Sequence, residues 1–130
     1  MDRASVAAAT TWSACVDRLM ARADRLERLE RLRITLEEEY LSALRDALQR
    51  CAAGSWGLFD HQQQAAPRAA WAPVVENLCD LGQEIDDLRE KLSMEPFALH
   101  QEFEDSRGPV PSTAVGEPKQ ARAWLTRLES

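Results

Sequence analysis

Residues 11–53 read TWSACVDRLMARADRLERLERLRITLEEEYLSALRDALQRCAA and contain neither glycine nor proline. Leucines recur through this stretch at spacings of three and four, which is the period of an α-helix. A continuous helix of this span would be roughly 60 Å long, far longer than an ordinary helix of a globular domain. Because such a helix is not stable alone in water, the sequence predicts that it packs on the rest of the chain, a second copy or another protein.

The apolar side chains of this helix form one broad stripe. The predicted helix begins with Thr10 or Thr11 as its N-cap and ends at Gly54. The stripe is wider than the seam of a two-helix coiled coil, so we expect it to contact more than one partner. It consists of Trp12, Val16, Leu19, Ala23, Leu26, Tyr40, Leu44, Leu48 and Cys51.

The stripe exceeds the width of a two-helix seam around Ile34, Leu36 and Leu41, which are therefore predicted partner-binding residues. Residues 30–37 also place Glu30, Arg33 and Glu37 near the apolar face at spacings that allow ion pairs. Two interpretations stay open for these three side chains. They mark either a place where the contact face rotates or the helix bends, or a polar recognition spot within an interface.

A connection with two aromatic residues follows, running from Gly54 to Pro73. It contains Trp56 and Phe59 bracketed by glycines, then His61 and a glutamine-rich stretch. These aromatics either plug the end of the helical core or form an exposed patch for a partner. Trp56 and Phe59 are therefore included among the candidate partner-binding residues.

The second helix carries the clearest periodic signal in the chain. Its apolar residues alternate at spacings of three and four, which indicates a seam of about three heptads. The helix is expected to begin near Trp71 or Ala72, with Pro73 in its first turn. The seam consists of Trp71, Val74, Leu78, Leu81, Ile85, Leu88 and Leu92.

The remaining chain is punctuated by prolines. Ser93 is predicted to cap a broken third helix with Pro96 in its first turn, ending at Gly108. Residues 108–117 read as a proline-rich linker. Pro118 then begins a short docked C-terminal helix, residues 118–130, whose Trp124 is a further candidate partner-binding residue.

Charge is distributed unevenly along the chain. Residues 17–33 include six arginines, whereas residues 54–107 carry four basic and eleven acidic side chains, most of the acidic ones within 84–105. An antiparallel hairpin that places 17–33 beside 84–105 would bring opposite charges together and set the register. We therefore expect this pairing within the chain.

Composition bounds the class of protein. The net charge of −6 argues against a nucleic-acid binder, which usually presents a basic face. No apolar stretch approaches the length of a membrane span or a signal-peptide core, so a cytoplasmic protein is expected. The excess of arginine over lysine suggests a GC-rich bacterial genome. The three cysteines form no Cys-x-x-Cys pair and are expected to be small buried hydrophobes, with a metal site or disulfide as the alternatives.

Signals for catalysis are weak. Carboxylates three residues apart on a helix, such as Glu84 and Asp87, are candidate ligands for a divalent cation, on the pattern of all-helical Mg²⁺-dependent nucleotide hydrolases. No catalytic motif is present, and neither His61 nor His100 is expected to act as a base. We predict no catalytic residues, no cofactor and no identifiable small-molecule ligand.

The Trp56-Gly57-Leu58-Phe59 loop and the Gly116-Glu117-Pro118 start of a closing helix with Trp124-Leu125 carry a resemblance. Together they resemble uncharacterised small all-helical proteins of GC-rich bacteria. The resemblance covers roughly residues 40–130 and implies an all-helical cytosolic protein, without bringing any known activity.

These observations predict an all-α protein, an antiparallel helical hairpin built on one long N-terminal helix, with a broken third helix and a short C-terminal helix. The expected organisation is a flexible N-terminus at 1–10, a helical domain at 11–107, the linker and the docked helix. The expected function is that of a non-enzymatic interaction or adaptor protein of the bacterial cytoplasm, self-associating or chaperone-like, without nucleic-acid or membrane partners. The alternative is a small metal-dependent nucleotide hydrolase.

Overall fold

The computed structural model describes residues 3–59, 65–107 and 116–129, with side chains described from Ser13 onward. Within these residues the fold is all-helical, as predicted. His61 and most of the predicted linker at 108–117 lie outside the described residues. None of the described helices is long and apolar enough to cross a membrane. The four helices are α1 Arg3–Ala52, α2 Ala65–Lys91, α3 Ala98–Ser106 and α4 Glu117–Glu129.

The first helix, α1, is longer than predicted. It comprises 50 residues, or about 75 Å at 1.5 Å per residue. The predicted N-cap at Thr10 or Thr11 is wrong, because residues 3–10, expected to be a flexible N-terminus, continue the helix. This segment contains four alanines and no glycine or proline, so nothing in it terminates a helix.

The predicted end of α1 at Gly54 is confirmed. Gly54 has a positive φ of 123°, a conformation that glycine adopts without a steric cost. The N–H groups of Gly54 and Ser55 donate to the carbonyls of Cys51 and Arg50. These bonds satisfy two of the carbonyls that the helix end leaves without partners.

The second helix, α2, begins at Ala65, six residues before the predicted Trp71. Pro67 lies in its first turn, where the missing N–H group is not needed, and alanines fill the following turn. Pro73, predicted for the first turn, lies inside the helix instead. The predicted seam is confirmed for five of its members, which are buried: Trp71, Leu78, Leu81, Ile85 and Leu88.

α1 and α2 form the predicted antiparallel hairpin. At one end the guanidinium of Arg50 lies over the ring of Trp71, 4.8 Å from its centroid. At the other end Arg89 of α2 forms an ion pair with Glu37 of α1. α2 therefore packs along the C-terminal half of α1 and does not reach its N-terminal half.

The turn after α2 differs from the prediction that Ser93 caps a new helix. Ser93 has a φ of 57° and terminates α2, with the N–H of Met94 donating to the carbonyl of Arg89 at 2.7 Å. This is the Schellman arrangement, in which a left-handed residue closes a helix. Pro96 precedes α3 instead of lying in its first turn. The carboxylate of Asp86 accepts a hydrogen bond at 2.8 Å from the N–H of Phe97, the residue that precedes α3.

Because of this turn, α3 runs back along α2. Cys79 of α2 contacts Glu104 of α3, and Gly82 lies against the ring of His100. The predicted charge pairing of 17–33 with 84–105 is therefore wrong, since the acidic segment returns toward the C-terminal end of α1. Of the six arginines, only Arg33 forms an ion pair among the described residues, and its partners are on α1 itself.

The hydrophobic core lies around the C-terminal half of α1, on which both α2 and α4 pack. Pro118 occupies the first turn of α4, as predicted. The predicted breadth of the α1 stripe is explained here by two cis partners. The largest apolar side chains with no solvent exposure are Tyr40, Leu44, Leu48, Leu58, Phe59, Leu78, Ile85 and Phe103.

Candidate functional site

Residues 13–28 of α1 have no packing partner among the described residues. We call residues 13–28 the α1 arm; every one of them except Val16 is exposed. Leu19, Met20 and Leu26 are 64%, 62% and 42% exposed. Such a group of exposed large apolar side chains on one helix is unusual for a monomeric protein. The arm and the residues before it extend the helix by about 40 Å beyond the bundle.

The apolar face of the α1 arm continues the face that forms the core. Starting from buried Tyr40 and stepping back by alternate spacings of three and four, the series passes through polar residues 37, 33 and 30. It then reaches four apolar arm residues, Leu26, Ala23, Leu19 and Val16. A single heptad seam therefore runs along α1. From Tyr40 to the C-terminal end of α1 the seam packs against α2 and α4, whereas on the arm it is exposed.

The junction between the α1 arm and the bundle comprises residues 30–37, and charged side chains there form an ion-pair network. Arg33 pairs with both Glu30 and Glu37, and Arg89 of α2 also reaches Glu37. The hydrogen bond from Arg33 lowers the pKa of Glu30, and the same bond raises the pKa of Arg33. The network closes the bundle where α2 ends, and neither of the two predicted interpretations of Glu30, Arg33 and Glu37 is tested by it.

Charged side chains flank the apolar face of the arm with opposite signs. At 100° per residue, Arg22 lies next to the face on one side, with Arg18 behind it. On the other side Glu27 lies next to the face, with Asp24 behind it. No ion pair joins these side chains to α2, α3 or α4 in the described part of the chain.

Three predicted partner-binding residues lie near the junction. Ile34 and Leu41 line a surface groove of about 370 Å³ together with Phe97 and Leu99. Leu36 is half-buried and packs against the core instead. The structure therefore brings together two of these three residues.

The three predicted aromatic residues have different environments. Trp56 is 39% exposed, with the edge of its ring close to Gly116. Phe59 and Trp124 are buried, and both pack edge-on against Phe103. Phe59 and Trp124 therefore belong to the core and are not accessible to a partner in this conformation.

The two motifs that carry the family resemblance contact each other. The carboxylate of Glu117 is fully buried and accepts hydrogen bonds from the backbone N–H groups of Gly57 at 3.0 Å and Phe59 at 2.7 Å. It also lies in the first turn of α4, where the helix dipole favours a negative charge. Glu117 therefore fastens the loop to α4. A glutamate is ordinarily placed on the surface, so only the fold reveals this role.

A cluster of four polar side chains joins α1, α2 and α3. The Tyr40 hydroxyl is hydrogen-bonded to Nδ1 of His100 at 2.7 Å, and Nε2 of the same ring lies 3.1 Å from Glu104 Oε1. Cys79 Sγ lies 3.7 Å from the same carboxylate oxygen. His100 is buried, whereas Glu104 is exposed and Cys79 is half-buried. The cluster therefore reaches from the core to the surface.

The surroundings of the cluster favour the protonated, neutral forms of Cys79 and Tyr40. Burial raises the pKa of the Cys79 thiol, and the nearby Glu104 carboxylate raises it further. Burial likewise raises the pKa of Tyr40. Cys79 is therefore not an activated nucleophile of the kind that thiol catalysis requires.

Sequence reasoning missed this cluster. The spacing of His100 and Glu104, four residues apart, places them on one face of a helix, which is a readable signal. Cys79 comes from another helix and carries no comparable signal.

The alternative metal pair of Glu84 and Asp87 is exposed on α2, where Asp87 accepts a hydrogen bond from Gln83. Among the described residues, neither belongs to a group of three potential metal ligands.

The chain matches no protein-family model, no curated protein and no solved structure.

Proposed function

We propose that this protein is a non-enzymatic interaction protein of the bacterial cytoplasm whose α1 arm is a docking helix. The observation that supports this is the continuity of the seam on α1. The same face that buries Tyr40 and Leu44 in the bundle presents Leu19 and Leu26 to solvent on the arm. An exposed helix of this length gains most of its stability from packing its apolar face, so the arm requires a partner.

We propose that the partner is a second copy of the chain, which makes the protein self-associating. The charges flanking the arm support this choice. When two arms lie parallel, the basic flank of one faces the acidic flank of the other, and Arg22 lies five residues before Glu27. This is the spacing at which flanking residues pair across a parallel coiled coil. In an antiparallel pair like flanks would meet, which is unfavourable.

The test is the oligomeric state in solution. We expect the wild-type protein to form a dimer in light-scattering measurements at micromolar concentrations. Replacing Leu19 and Leu26 together by Glu should give a monomer, because four carboxylates would enter the dimer seam. The matched control replaces Ala14 and Ala21 by Glu, on the opposite exposed face of the arm, and should leave the dimer intact.

Orientation is tested by crosslinking. In a Cys15→Ser background, Leu26→Cys places a thiol on the seam, and oxidation should join two copies only if the arms are parallel and in register. A wild-type protein that stays monomeric over the whole concentration range contradicts self-association. If that monomer binds an amphipathic helix of another protein through Leu19 and Leu26, the chaperone-like function is supported in its place.

A further inference from the structure

We propose that Cys79, His100 and Glu104 form a binding site for Zn²⁺. Each contributes one potential ligand atom, the thiol sulfur, Nε2 of the imidazole and a carboxylate oxygen, and these atoms all lie within 4.8 Å of one another. In a tetrahedral zinc site the ligand atoms are roughly 3.3–3.6 Å apart. The separations of 3.1 Å and 3.7 Å from Glu104 Oε1 to the other two atoms are close to this spacing.

The imidazole of His100 is held in the orientation that a metal ligand needs. The Tyr40 hydroxyl occupies Nδ1, which directs Nε2 toward Cys79 and Glu104. Histidine ligands are usually oriented by such a hydrogen bond at the second ring nitrogen. Gly82 leaves the space for the ring, since a Cβ atom at this position would lie less than 3.0 Å from three of its atoms.

The chemistry of the three ligands favours zinc over hard cations. A thiolate and an imidazole suit Zn²⁺, whereas Mg²⁺ is bound almost entirely by oxygen. A Cys79 thiolate and the Glu104 carboxylate together balance the charge of the ion. Binding would release the thiol proton to solvent, as expected for a thiol that is protonated in the metal-free protein. Three protein ligands leave a fourth position for water.

The site is also open to solvent and links separate elements. The exposed side chain of Glu104 gives an ion access from the surface of α3. The ion would join α3 to α2 and, through Tyr40, to α1. Zinc should therefore raise the melting temperature, because it binds the folded protein and the assembled site does not exist in the unfolded chain.

The experiment is a titration of the reduced full chain with Zn²⁺, and with Co²⁺ as a spectroscopic probe. We expect a thiolate-to-cobalt charge-transfer absorption, displacement of Co²⁺ by Zn²⁺, a higher melting temperature with zinc and no response to Mg²⁺. Cys79→Ser and Glu104→Gln, both conservative changes near the surface, should abolish the absorption and the thermal shift. Tyr40→Phe should retain the site and weaken zinc binding about 10-fold.

Cys15→Ser and Cys51→Ser are the matched controls, since each removes a thiol elsewhere in the chain. Both should bind Co²⁺ and Zn²⁺ as the wild-type protein does. Absence of the cobalt absorption in the wild-type protein overturns the proposal. So does an absorption that survives Cys79→Ser, or one that disappears with Cys15→Ser.

Discussion

The buried carboxylate of Glu117 holds the backbone of Gly57, 60 residues away in the chain, through hydrogen bonds of 3.0 Å from the Gly57 N–H to both carboxylate oxygens. A third bond from the N–H of Phe59 makes this carboxylate the centre of the contact between the aromatic loop and α4. A buried charge is tolerated only when its hydrogen-bonding capacity is satisfied, and here backbone donors and the start of a helix satisfy it. The contact thus depends on two acceptor oxygens at this one position.

The first prediction concerns Glu117→Gln. The substitution keeps the shape of the side chain but replaces one acceptor oxygen by an NH₂ group that faces backbone donors. We expect the free energy of unfolding to fall by about 1–3 kcal/mol, measured by urea denaturation. Glu129→Gln, at the exposed end of the same helix, is the control and should be neutral. Equal stability of the two variants would show that the Glu117 carboxylate is not required.

The second prediction concerns Gly82→Ala. The added methyl group would overlap the imidazole of His100, whose position is also restrained by Tyr40. We expect a loss of about 1–3 kcal/mol, the usual cost of overpacking a core. The neighbouring exposed substitution Gln83→Ala should stay within about 0.5 kcal/mol of the wild-type protein. A neutral Gly82→Ala would indicate that the ring does not pack here.

The third prediction concerns Ser93→Gly. Ser93 adopts a left-handed conformation at the end of α2, which costs a residue with a Cβ atom more than it costs glycine. We expect the substitution to stabilise the protein by about 0.5–1 kcal/mol, seen as a higher melting temperature. The same change at Ser42, exposed in the interior of α1, should destabilise it by about 0.5 kcal/mol. Destabilisation at both positions would contradict the assigned turn.

The fourth prediction concerns alkaline pH. Burial, assisted by the Glu117 charge, raises the pKa of the Cys51 thiol from 9.0 to about 12. The unfolded chain therefore loses this proton at a lower pH than the folded protein does. Stability from this group is complete below pH 9 and is lost as the pH rises toward 12.

Denaturant unfolding between these pH values should show a declining free energy of unfolding. Cys51→Ala should reduce the slope by at most about 1.4 kcal/mol per pH unit, the contribution of one proton. Cys15→Ala, at an exposed position, should not change the slope. Parallel pH profiles for the wild-type and Cys51→Ala proteins would refute the assignment.

Local pattern was sufficient for the helices that carry a regular seam. The spacing from Trp71 to Leu88 predicted which face of α2 is buried, because the helical period alone decides it. Gly54 and Pro118 were predictable for a similar reason, since each has a backbone preference that suits one position of a helix. The starts of α1 and α2 were less predictable, because the alanine-rich segments next to Arg3 and Ala65 contain no stop signal.

The return of α3 was not predictable from local pattern. Ser93 suits a helix start as a capping side chain, and the structure uses it as a left-handed helix end. The choice depends on the bond between Asp86 and Phe97, which exists only once α3 folds back. Charge matching between segments misled for the same reason, since opposite charges specify a contact only if the turn allows it. The cluster at Cys79 and the burial of Glu117 arise from that same tertiary arrangement.

No glycine or proline interrupts α1 between Arg3 and Ala52. The helical period therefore fixes the rotation of the arm about the helix axis relative to the bundle. Inserting one alanine after Leu29 would turn Leu26 by about 100° relative to Tyr40 and move the arm outward by about 1.5 Å. Inserting seven would restore the original facing while lengthening the arm by about 10 Å. The α1 arm is thereby held at a set distance and angle from the groove at Phe97 and from the cluster at His100.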